Sequence, residues 1–131
     1  MTFTASYNPS NQIIEVDIQG ELTIEIIKQI SVEAFRIASE QNCRLILTDL
    51  NRAVIRLSFL DIYQLPTLFS ETARSAGLDI HEFKRAFVAP TRLRDLMFFE
   101  TVLLNRSQNV RHFYEVDAAR AWLSGDDSRG W

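Results

Sequence analysis

The chain's 131 residues suit one domain, able to bury roughly two thirds of its unfolded surface without metals or disulfides. Apolar residues at 47% and charged residues at 24% are globular averages, and no apolar run approaches the ~18–20 residues of a membrane span, which excludes disorder, collagen and membrane insertion. Fourteen Lys plus Arg against seventeen Asp plus Glu leave a net charge of −3, arguing against a nucleic-acid partner; Cys43 alone makes no disulfide framework; and Met1 to Gly20 lack a basic stretch followed by an apolar one, so a cytoplasmic location is expected.

In chain order, Thr2 to Gly20 holds two β-forming stretches separated by the turn cluster Asn8-Pro9-Ser10-Asn11, which predicts a hairpin. In its second arm Ile14, Val16 and Ile18 alternate with Ile13, Glu15 and Asp17, the period of a strand with one buried face, and Gly20 is expected to end it. From Thr23, a reasonable N-cap, the apolar residues Ile27, Ile30, Ala34, Ile37 and Ala38 recur at helical spacing. Cys43 to Thr48 then reads as a central strand buried on both faces, with Asp49 at its C-terminal end and a charged loop from Asn51 to Leu57.

Ser58 followed by Asp61 resembles a capping box and starts a second helix, in which Pro66 predicts a kink or break and Gly77 the end. Arg85 to Pro90 reads as a strand, Thr91 as the cap of a third helix running to Arg106, Val110 to Tyr114 as a strand, and Asp117 as the cap of a closing helix ending at Leu123. The order ββαβαβαβα predicts a single α/β domain over residues 1–123, with a mixed sheet of about five strands, four helices and a flexible tail over 124–131.

Three short motifs are similar to those of the SpoIIAA-like, or STAS, family, whose founding members are bacterial anti-sigma-factor antagonists. Gly20-Glu21-Leu22 stands between the second strand and the first helix, Leu45 to Leu50 resembles the family strand ending in Asp-Leu, and Ser58 falls nine residues after Asp49. In the antagonists a serine at that spacing opens the second helix and is phosphorylated, so the resemblance implies a regulatory, non-enzymatic domain with Ser58 as a modification site. The flanks differ: the antagonists carry Asp-Ser-x-Gly, whereas Leu57 and Leu60 stand here. The ending from Val110 to Leu123 is closer to a less characterised SpoIIAA-like branch, which implies a fold and a pocket at the sheet end.

Two kinds of site emerge. Ser58, beyond its role as a plain N-cap, is placed to hold a phosphate at a helix N-terminus, with Asp49, Arg52, Arg56 and Arg92 around it where loops after parallel strands converge. Arg44, Lys84 and Arg85 precede or open strands and are expected at the opposite edge. The second and third helices carry more apolar residues than the ~100° stripe one sheet requires. Phe59, Tyr63, Leu68, Phe98, Phe99 and Leu103 thus form a candidate surface for a homodimer or an apolar, lipid-like ligand.

Catalytic patterns are sparse. His81 and His112 belong to no metal-binding spacing, no glycine-rich phosphate loop occurs, and only a convergence of Asp49, Asp61 and His112 would supply an acid or base. The expected function is binding, either of a regulatory protein partner or of a small anionic or apolar ligand, with no metal, no cofactor and no enzymatic activity.

Overall fold

The structure, a computed structural model, describes residues 3–90 and 94–125. Ten elements follow in order: β1 (Phe3–Asn8), β2 (Ile13–Leu22), α1 (Ile24–Gln41), β3 (Leu45–Ile55), α2 (Phe59–Ser75), a 3₁₀ turn (Ile80–Glu82), β4 (Lys84–Val88), α3 (Arg94–Leu104), β5 (Asn109–Phe113) and α4 (Val116–Leu123). The strands form one mixed sheet in the order β1-β2-β3-β4-β5, antiparallel between β1 and β2 and parallel thereafter. This is the single-domain ββαβαβαβα arrangement that the sequence predicts, with β3 in the centre.

Local chemistry sets the element ends. The hairpin turns where Gln12 takes a left-handed φ of 60° and donates its N–H to Asn8 O at 2.8 Å. Thr23 caps α1 by accepting from Ile26 N, and Asn42 closes it with a φ of 51° and an N–H directed to Ala38 O. Asp117 lies inside the first turn of α4, whose cap position is Glu115, two residues earlier than the sequence suggests. The proposed cap Thr91 lies outside the described residues. Ser124 and Gly125 donate to Arg120 O and Trp122 O, extending the α4 hydrogen bonding to the start of the segment read as a tail.

The sheet is covered unequally. Ile14, Val16, Ile18, Ile46 and Phe87 face α1 and α2 and join the main core with Ala34, Phe35, Leu65 and Phe83. On the other face α4 sets Ala119, Trp122 and Leu123 over Ile13, Leu47, Ala86 and Val88. The pattern of β2 therefore has two apolar faces at its start, Ile13 and Ile14 both being fully buried. Burying a large side chain such as Trp122 or Leu123 contributes about 1.5–3 kcal/mol, enough for a helix this short to dock.

Three expectations are corrected. Gly20 does not end β2 and Asp49 does not end β3; both strands run on, pairing Gln19 with Arg52, Gly20 with Ala53, Glu21 with Val54 and Leu22 with Ile55. Most of the loop read from Asn51 to Leu57 is thus strand. The register slips between Asp17 and Gln19, so Ile18 opposes both Leu50 and Asn51, and the bulge leaves an amide that Asp49 Oδ1 accepts at 2.9 Å. Pro66 does not break α2, which runs continuously from Phe59 to Ser75 with the proline fully buried inside it.

Candidate functional site

Ser58 is the N-cap of α2. Its Oγ accepts from Asp61 N and Asp61 Oδ2 accepts from Ser58 N, both at 3.0 Å, so the predicted capping box is complete. The serine is exposed, but any anion added there also meets the Asp61 carboxylate.

The cations expected beside it are engaged on the sheet. Arg52 and Arg56 lie on, or one residue beyond, the extended part of β3, and each meets a carboxylate of β2. Arg52 pairs with Asp17, whose Oδ1 is buried without a hydrogen bond; Arg56 Nε lies 3.4 Å from Glu21 Oε2. Gln19, once its amide is turned, also accepts from Arg52. Asp49 serves the β-bulge, and Arg92 lies outside the described residues. Among the described residues, the cations of the candidate anion site contact their strand partners Asp17 and Glu21, and no hydrogen bond or ion pair links Ser58 to Arg52 or Arg56.

The apolar candidates divide by burial. Phe59 and Tyr63 are 59% and 61% exposed, one helical turn apart on α2, with Leu60 at 67% beside them. The Phe59 ring meets Phe98 of α3 edge to face at 5.2 Å, so these residues make one aromatic surface across the two helices. Leu68 and Phe99 are partly buried against the main core, Phe99 lying 5.1 Å from Phe87. Leu103 is fully buried. It is a core residue, turned inward by the 3.6-residue period that leaves Leu104 half exposed.

Asp49, Asp61 and His112 hydrogen-bond separately. His112 is buried on β5, stacks between Phe87 and Tyr114, and its Nε2 donates to Ala89 O at 3.2 Å. Among the described residues no group of three His, Cys, Asp or Glu side chains is placed to hold a metal ion, and no helix is long and apolar enough to cross a membrane.

Sequence reasoning missed the interior. Between the sheet and the helices lies a cavity of about 110 Å³, walled by apolar side chains including Val16, Ile18 and Phe99 and containing Ser31, Thr48 and Arg85 as its polar described residues. Arg85 was expected at the sheet edge with Arg44 and Lys84. Lys84 does lie on the α4 face, donating to Trp122 O, and Arg44 packs over Phe83. Arg85 instead points to the face under α1 to α3, because strand alternation puts neighbours on opposite faces. The usable signal was that alternation: Arg85, Phe87 and Ala89 share one side.

This architecture is a SpoIIAA-like α/β fold. The chain is similar to the anti-sigma factor antagonist SpoIIAA in its unphosphorylated form, with a TM-score of 0.51 and 11% identity over 98% of this chain and 99% of that one. It is also similar to an uncharacterised DUF3478-family protein with a SpoIIAA-like fold from Shewanella loihica PV-4, with a TM-score of 0.54 and 17% identity over 93% of each chain. No protein-family model and no curated protein sequence matches.

Proposed function

We propose that this chain is a non-catalytic, cytoplasmic regulatory domain that acts by protein contact at the start of α2. The observation that carries the reading is the aromatic surface next to Ser58: Phe59 and Tyr63 are mostly exposed, and Phe98 extends the patch onto α3. Aromatic residues supply large contact area at low entropic cost, and they dominate binding energy when a partner covers them. The likeness to an anti-sigma factor antagonist supports a regulatory role. A second copy of the chain is the first partner proposed, since twofold homodimers are the commonest assemblies.

Ser58 is the proposed switch. A phosphate on Oγ would sit at the positive end of α2 but beside Asp61, so modification would exchange the capping box for a doubly negative surface at the patch edge. The test is sedimentation and affinity capture of wild type, Phe59→Asp and Ser58→Glu from the native cell. Self-association or a captured protein that is lost in Phe59→Asp supports the reading. A monomeric wild type whose captured proteins are the same as those of Phe59→Asp overturns it.

A further inference from the structure

Arg85 carries a partly buried guanidinium that pairs with no carboxylate among the described residues. Across the sheet it stands in one row with Ile14, Ile46 and Val110, each of them apolar. The residue is partly buried, its Nε is fully enclosed, and its side chain lines the cavity. Nη2 donates to Gln108 Oε1, Gln108 Nε2 donates in turn to Pro66 O at 2.9 Å, and Cζ lies over the Phe69 ring at 4.8 Å. Nε has no acceptor, and no carboxylate among the described residues pairs with the group. Desolvation lowers its pKa to about 9, so it is still a cation at neutral pH. One neutral hydrogen bond and one ring do not offset the cost of burying a charge, and an aliphatic residue like its row neighbours would serve the core better.

We propose that the cavity under α1 binds a small carboxylate with a short apolar body, its carboxyl group accepting N–H bonds from Arg85. The chemistry and size decide the class. Gln108 and Phe69 hold the planar fork in one orientation, which suits the planar carboxylate. A phosphate dianion would leave one negative charge unmatched against an otherwise apolar wall. About 110 Å³ approaches the cavities that take a benzene-sized molecule, and it is too small for a long acyl chain. This site is separate from the α2 surface, so each reading fails or stands alone.

The test is calorimetry and thermal melting of the full chain with benzoate, the alkyl carboxylates from butanoate to octanoate, 1-pentanol as an uncharged control, and inorganic phosphate. Benzoate or pentanoate should bind with a Kd of about 1 mM, the affinity that so few heavy atoms usually reach. At ten times Kd the melting temperature should rise by about 4 °C. Pentanol and phosphate should bind at least about tenfold more weakly, and Arg85→Met should lose carboxylate binding by a similar factor while remaining folded. Absence of carboxylate binding at ~10 mM, equal binding by Arg85→Met, or a preference for phosphate overturns the proposal. If Arg85→Met does not fold, Ser31→Leu keeps the arginine and fills the void; carboxylate binding that survives it overturns the proposal, and binding that disappears supports it.

Discussion

Glu15 on β2 and Arg120 on α4, 105 residues apart, face each other through two parallel hydrogen bonds of 3.2 and 3.1 Å. The pair ties the last helix to the first half of the sheet beside the Trp122 cluster. Burial works against the Glu15 carboxylate, but hydrogen bonds from Arg120, Asn11 and Asn8 and the arginine's charge outweigh it and hold its pKa below the ordinary 4.5. A carboxyl group with a depressed folded pKa stabilises the fold above its unfolded value and loses that contribution as pH falls through the folded one. Thermal melts should therefore show stability falling below about pH 4.5, with a flatter acid limb in Glu15→Gln. At neutral pH Arg120→Ala should cost about 1 kcal/mol, or ~3–5 °C in Tm. Identical acid limbs in wild type and Glu15→Gln would remove this role.

The capping box makes Ser58 structural whatever else it does. Ser58→Ala should lower stability by about 1 kcal/mol in urea titrations, whereas Ser58→Asn, which keeps an acceptor, should lose much less. Equal losses in the two variants would mean that the cap contributes little.

Burial separates two residues that helix spacing alone groups together. Leu103→Ala should cost about 2–5 kcal/mol through the cavity it leaves. Tyr63→Ser, on the exposed side of α2, should change stability by less than ~0.5 kcal/mol. Chemical denaturation of both reads this directly, and a costly Tyr63→Ser would place that ring in the core.

Gln108 links Arg85 to α2, so its loss strands a buried donor. Gln108→Ala should destabilise the domain by about 1–3 kcal/mol, and Arg85→Met in the same background should recover part of that loss. Additive losses in the double variant would show that the two side chains are energetically independent.

Much of the fold was legible in the sequence because its determinants are local. Thr23 and the Ser58–Asp61 box act within three residues, and the apolar periods of β2 and α1 follow from the geometry of a single element. Element order then leaves few ways to arrange a largely parallel sheet. The continuation of β2 and β3 was not legible, since polar and charged residues such as Arg52 read as loop until a neighbouring strand supplies hydrogen bonds and Asp17 a partner.

What the amino-acid order by itself determined was the order of helices and strands, the caps at Thr23 and Ser58 and the class of fold, all governed by contacts within a few residues. Only the tertiary structure decided that α4 covers the opposite face, that Leu103 is core while Tyr63 is surface, and that Arg85 borders an interior void. Those outcomes depend on register and on which elements meet across long stretches of chain. Burial, and with it the meaning of a charge, is a property of the assembled layers.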